Sequence, residues 1–236
     1  MGKFFKSAAV AAVLAMGVSG ASANTVTLSQ QDNSDVFAGG GSATVRVTAN
    51  GVVSNLRVRA GGFRVSDGIN DFIAFCASLA DTLSLPGEYT ARPFENPPLS
   101  YTQTVIDRVQ ALFNTAYATL DLSNDAQSGG FQLALWNLLY DTNDTVSSGT
   151  FRWTGSATSA TALAARDQAN AFLEGLDGPV TQVYTLTFWE AATDPYGKPL
   201  SQNLITAAPI PLPAAAWMLL AALGAAAAVS RRRRDA

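Results

Sequence analysis

The stretch GGFQLALWNLLYD, residues 129–141, places Phe131, Leu133, Leu135, Trp136, Leu138, Leu139 and Tyr140 within thirteen positions. Apolar groups cover every side of a helix drawn through them, and such a helix is buried all round. The remainder of the domain must therefore enclose it. Gln132 sits inside this run, and a buried amide left without partners costs roughly 1–3 kcal/mol. It is either a satisfied core amide or a group with chemistry to perform.

Working outward, TQTVIDRVQALFNTAYATL (102–120) sets Val105, Val109, Leu112, Phe113 and Ala116 at helical spacing. SNDAQSGG (123–130) reads as a loop and N-terminal cap ahead of the apolar helix. TSATALAARDQANAFLEGL (158–176) has Ala-rich helical periodicity and stops at Gly175 and Gly178. TVTLSQ (25–30), ATVRVTA (43–49) and VVSNLRVRAGGFRV (52–65) alternate and are rich in Val, which predicts antiparallel strands. DFIAFCASLAD (71–81) predicts a central strand carrying Cys76, TFRWTG (150–155) a short strand, and VTQVYTLTFWE (180–190) another strand. Pro86-Gly87 and Pro93 to Pro98 mark loops, and the chain up to Ala208 reads as loop, linker and at most one edge strand. Strands, then helices, then strand predict an α+β fold: an antiparallel β-sandwich or barrel with a helical insert.

Both ends differ from this middle. MGKFFKSAAVAAVLAMGVSGASA carries Lys3 and Lys6, an apolar run from Ser7 to Val18, and the small-residue exit Ala21-Ser22-Ala23. These are the three parts of a secretory signal peptide, with Asn24 the expected mature N-terminus. From Pro213 to Val229 the chain is uncharged, and Arg231, Arg232, Arg233 and Arg234 follow. That predicts a short membrane span with a cytoplasmic C-terminus. The organisation expected is a signal peptide over 1–23, one exported domain over 24–205, and a linker, span and basic tail over 206–236.

Setting aside Lys3, Lys6, the four terminal arginines and Asp235, the exported part keeps 9 basic and 17 acidic residues, a charge of about −8. Its basic residues form no cluster along the chain, so nucleic acid is a poor partner. The complete lack of histidine removes the usual general base, the commonest metal ligand and every Ser-His-Asp or Cys-His scheme. DTNDTVSSGTFR from Asp141 has calcium-loop residues at its first, third and fifth positions, but Val146 replaces the sixth-position Gly and Arg152 the twelfth-position Glu. It reads as a helix-exit loop, and no metal or cofactor is expected. Gly39-Gly40-Gly41-Ser42 lacks the Gly-Lys-Ser/Thr of a phosphate loop. No Gly-x-Ser-x-Gly motif is present and the exported part keeps one lysine, Lys198, so an enzyme is not expected. Cys76 is the single cysteine; it is either a small buried hydrophobe or a reactive thiol.

Cys76 and Gln132 lie 56 positions apart, each in an apolar segment. A thiolate beside a primary amide carbonyl can displace ammonia and form an internal thioester. That acyl group then waits for an external amine or hydroxyl, which is covalent catalysis run once. A dry pocket, for which Phe75 and Trp136 are candidates, would protect it from water. FIAFCASL followed by GGFQLALWNLLYD resembles the Cys-Gln thioester domains of bacterial surface adhesins, in which a Gln-x-Ala-apolar-Trp motif follows the cysteine. Cys76, Gln132, Ala134, Leu135 and Trp136 match, and Phe131 stands where members usually have Thr. The resemblance spans roughly residues 60 to 140 and implies a Cys76–Gln132 cross-link in a pocket of Phe75, Ala134 and Trp136. Ile210-Pro211-Leu212-Pro213-Ala214, with the apolar run and terminal arginines, resembles the PEP-CTERM/VPLPA-CTERM sorting signals of Gram-negative bacteria. That implies an exosortase-type membrane transpeptidase as partner and Pro211, Leu212, Pro213 and Ala214 as its motif. The function expected is an exported, exosortase-sorted protein of the cell surface or matrix. It is first held in the inner membrane, and its thioester attaches it to a polysaccharide or protein nucleophile. The alternative is a non-covalent structural protein of the envelope or biofilm matrix, with Cys76 and Gln132 merely packed.

Overall fold

The computed structural model describes residues 25–31, 35–96, 101–155, 159–176 and 181–211. The expected signal peptide, and the apolar span and basic tail beyond Pro211, lie outside them. No helix among the described residues is long and apolar enough to cross a membrane.

Among the described residues, nine strands and three α-helices form an α+β fold. The strands are β1 (Thr25–Gln30), β2 (Ala43–Ala49), β3 (Val53–Ala60), β4 (Phe63–Ser66), β5 (Asp71–Cys76), β6 (Gly87–Pro93), β7 (Phe151–Trp153), β8 (Tyr184–Ala191) and β9 (Leu204–Pro209); the helices are α1 (Gln103–Ala116), α2 (Asp125–Tyr140) and α3 (Ala160–Glu174). Six strands close an antiparallel barrel in the order β1-β4-β5-β9-β8-β6, and β3-β2-β7 form a separate sheet. Closure leaves the barrel without a free edge.

Several expectations are corrected. The run 52–65 is two strands in different sheets, broken at Gly61-Gly62. A Cβ on Gly61 would meet Gly41 O and Ser128 Oγ, both at 2.9 Å, so only glycine lets the chain cross here. The strand at 71–81 stops at Cys76, after which Ala77 N donates to Asn203 O just ahead of β9 and the Tyr140 hydroxyl bonds Ala77 O and Leu79 N. Residues 87–93, between the two proline-marked loops, form β6. The last strand is no edge: β9 fills the gap between β5 and β8 and runs through Pro209, so the fold extends past the expected boundary at 205. Three of the basic residues, separated along the chain, share one face of the smaller sheet. Arg46 and Arg57 are directly opposite in the β2–β3 register, with Arg59 two residues further along β3. The exposed Arg59 pairs with Asp35 and lies over the Phe37 ring at 4.2 Å.

Helix α1 lies against β8 of the barrel, whereas α2 and α3 pack on each other and on the smaller sheet. Thr102 caps α1 by accepting from Val105 N, and Ile106, Val109, Leu112, Phe113 and Ala116 form its buried stripe. Helix α2 begins four residues before the apolar run, where the Asn124 side chain accepts from Ala126 and Gln127 N. Every residue from Ser128 to Leu139 is buried, as a helix without a polar face requires. Gly129 and Gly130 set its close approach to the neighbouring elements. A Cβ on Gly129 would come 2.5 Å from Ala43 Cβ on β2, and one on Gly130 2.8 Å from Gln168 Cβ on α3.

Candidate functional site

Strand alternation separates neighbouring residues of β5. Phe75 points outward into an aromatic cluster with Phe131 of α2 (centroids 4.6 Å apart) and Phe113 of α1 (5.9 Å). Cys76 therefore faces the other way, on the same face as Leu204 and Trp189 of β9 and β8. The first pairing of β4 with β5 is Phe63 with Ala74, so beyond Ala74 no strand accompanies β5 on that side. The Cys76 backbone would be left open there. The Gln132 side chain takes the place of the missing strand: Cys76 N donates to Gln132 Oε1 (2.8 Å) and Gln132 Nε2 donates to Cys76 O (2.9 Å). Both residues are about 1 % exposed, so neither bond competes with water.

Gln132 belongs to a row of α2 residues spaced four apart, which places them one above another on a single helix face. Ser128 Oγ accepts from Gly62 N (3.3 Å), and the Tyr140 hydroxyl donates to Ala77 O and accepts from Leu79 N, both at 3.1 Å. Trp136 occupies the place between Gln132 and Tyr140. This row ties the ends of β4 and β5 to the helix. Ser128 and Tyr140 are absent from the sequence-based site, although counting four residues either way from Gln132 and Trp136 would have found them. The turn after β5 is also fixed from the other side, where Ser78 Oγ accepts from Asn203 N (2.9 Å).

A cavity of about 400 Å³ opens beside the thiol, lined among others by Phe37, Phe63, Cys76, Asp81, Trp136 and Gln202, with Arg57 and Arg59 contributing to its wall. The Cys76 thiol donates to Ser78 O at 3.1 Å. Burial pushes it from an ordinary 9.0 up to about 12; the Trp136 N–H and the Ser78 backbone oppose that rise and the Asp81 charge adds to it. Trp136 Nε1 is buried and close enough to the sulfur to have this effect, yet it makes no hydrogen bond. Gln202 Oε1 is also buried without a partner, while its Nε2 donates to Asp81 O (2.8 Å). Burial likewise pushes the Tyr140 phenol to about 12.

The structure thus brings Cys76, Gln132 and Trp136 together. Cys76 and Trp136 line the cavity, whereas Gln132, Phe75 and Ala134 do not. Phe75 is on the opposite face of β5, and Ala134, two residues from Gln132, is turned roughly 200° away around the helix. Phe131, at the position where Thr is usual, packs in the aromatic cluster behind the strand. Of the expected sorting motif Pro211 is described and exposed, whereas Leu212, Pro213, Ala214 and Arg231 to Arg234 lie outside the described residues. Asp141, first residue of the loop set aside as a calcium site, accepts from Phe151 N (2.8 Å) and so joins the end of α2 to β7.

No family model matches the sequence, and no curated protein does. Among solved structures, the chain is similar to the N-terminal domain of the Streptococcus pyogenes pilus tip adhesin Cpa, with a TM-score of 0.41 and 14 % identity over 78 % of this chain and 99 % of that one. It is similar to the N-terminal thioester domain of a protein F2 like fibronectin-binding protein from Streptococcus pneumoniae, with a TM-score of 0.42 and 14 % identity over 72 % and 94 %. It is also similar to the thioester domain of the Enterococcus faecium TIE86 protein, with a TM-score of 0.39 and 13 % identity over 80 % and 78 %.

Proposed function

We propose that this protein is an exported surface or matrix protein whose Cys76 and Gln132 form an internal thioester for covalent attachment to a nucleophile. The observation that carries the proposal is the pair of buried hydrogen bonds between the Gln132 amide and the Cys76 backbone. They hold a primary amide against the residue that owns the thiol, with both residues about 1 % exposed.

The chemistry balances without a cofactor. Cys76 Sγ adds to Gln132 Cδ, charge develops on Oε1, and the C–N bond breaks. The thiol proton ends on the departing nitrogen, which leaves as ammonia. The Cys76 N–H already donates to Oε1, so a donor stands where the oxyanion forms. In the second stage an amine or hydroxyl adds to Cδ, the C–S bond breaks, and the proton lost by the nucleophile returns to sulfur. The cavity beside Cys76 is the route for that nucleophile. Asp81 lines it and is the carboxylate suited to relay the proton in both stages.

Export and sorting rest on the sequence of the ends: the three-part leader before Asn24, and the Pro211–Ala214 motif followed by the apolar run and Arg231 to Arg234. An exosortase-type transpeptidase is the partner that such a tail calls for, and the inner membrane its first address.

A second reading has one observation in its favour. The same two hydrogen bonds make Gln132 a strut that completes the β5 ladder, and a thiol raised to about 12 is inert at neutral pH. Treatment with methylamine separates the readings. The thioester protein gains one methylamine at Gln132, located by peptide mapping, and releases one titratable thiol. A packed core gains nothing.

A further inference from the structure

Trp136 presents an unusual feature. It is 3 % exposed, it lines the cavity beside Cys76, and its Nε1–H is buried without a hydrogen-bond partner. A buried donor left unpaired costs roughly 1–3 kcal/mol, and Phe at this position would fill nearly the same space without that cost. The cost is recovered if the donor acquires a partner in a state of the site that the thiol form does not contain. Nε1 has no hydrogen-bond partner; Asp81 and Gln202 bring oxygens to the same cavity wall, but the group on which the indole N–H already acts is the Cys76 sulfur. As a thiol, Cys76 spends its proton on Ser78 O at 3.1 Å and is a weak acceptor. As a thiolate it becomes a strong acceptor, and hydrogen bonds to charged groups are the strong ones.

We propose that the Trp136 Nε1–H is the donor that stabilises the Cys76 sulfur while it carries negative charge. This rests on the thioester reading for its role in the reaction. When a nucleophile opens the thioester, the C–S bond breaks and its electron pair stays on sulfur. The indole N–H then donates a hydrogen bond to that sulfur, with no proton passing from the indole, until the nucleophile's proton arrives. In thioester formation the same bond stabilises the attacking thiolate. The interaction is stronger in the charged state than in the resting one, which is what accelerates a step. The placement fits: α2 sets Gln132 and Trp136 one turn apart, so one helix face holds the amide with the first and the sulfur with the second.

The test replaces Trp136 by its benzothiophene isostere, which keeps the bicyclic shape and loses the N–H, with Trp136→Phe as a companion. Two quantities are read on the exported protein. The first is the rate at which methylamine opens the thioester, expected to fall on the order of 100-fold, as when a single donor to a developing charge is removed. The second is the pH profile of Cys76 alkylation in the methylamine-opened protein, expected to move upward by roughly one unit or more. Unchanged rate and unchanged profile in the isostere protein would overturn the proposal. If the wild-type protein has lost no ammonia, the thioester reading fails on its own. The alkylation profile of the untreated protein then still decides whether Trp136 donates to the sulfur. A loss seen in Trp136→Phe but not in the isostere assigns Trp136 to packing and likewise overturns the proposal.

Discussion

At the scale of single residues the site turns on Gln132, whose amide does the work of a missing strand. Replacing it by Ala removes both partners of the Cys76 backbone in a buried place and leaves a void. With unpaired backbone groups costing roughly 1–3 kcal/mol each, Gln132→Ala should lose about 3 kcal/mol or more in urea denaturation. The comparison is made in a Cys76→Ala background so that no cross-link contributes. A loss below about 1 kcal/mol would show that these bonds contribute little to stability. The thiol supplies a second expectation. Its proton is held up to about pH 12 in the fold and to 9.0 ordinarily, so the folded state binds more protons between those values. The thiol's contribution to stability is therefore complete below pH 9 and is lost as pH rises toward 12. Tyr140, raised to about 12 by burial, adds to that decline. Denaturation of the thiol form across this range should show a shallower fall in Cys76→Ala than in the parent; equal slopes would contradict the assignment.

At the scale of elements, helix α2 is the organising piece, and its glycines show how tightly it is held. Gly129→Ala should favour an isolated helix by about 1 kcal/mol. Here the new methyl would meet Ala43 Cβ at 2.5 Å, and overpacking of a filled core costs about 1–3 kcal/mol. The net prediction is a lower thermal midpoint; an unchanged or higher one would mean that β2 yields easily. The existence of α2, and its burial, were legible because no face of it is polar. The chemistry of its Ser128–Tyr140 row was less legible, because spacing by four marks a shared face but not what that face meets. Strands fared unevenly for a similar reason. β1 and β2 alternate and announce themselves, whereas β6, GEYTARP, ends in a proline and carries Glu88 and Arg92 outward. β9, LITAAP, reads as linker until barrel closure gives it neighbours on both sides. The inclusion of Phe75 in the pocket overlooked the alternation of β5, which sends Phe75 and Cys76 to opposite faces.

At the scale of the whole molecule, a barrel and a small sheet hold between them a helix with one amide, one indole and one phenol facing the end of β5. Pairings between distant segments, such as β5 with β9 and β3 with β2 rather than β4, depend on packing that no local pattern encodes. The gathering of Arg46, Arg57 and Arg59 on one sheet face is of the same kind. The ends, by contrast, are written in local sequence and are tested by local means. Protein recovered from cells that export it should begin at Asn24, and in cells with an exosortase it should lack the Arg231 to Arg234 run; a mature chain that retains those arginines would leave a plain anchor. The central claim is more directly accessible. Intact mass of the freshly folded exported domain should fall short of its sequence mass by one ammonia, and the deficit should vanish in both Cys76→Ala and Gln132→Ala. Full sequence mass in the wild-type domain would contradict the thioester, and Gln132 would then be a strut alone.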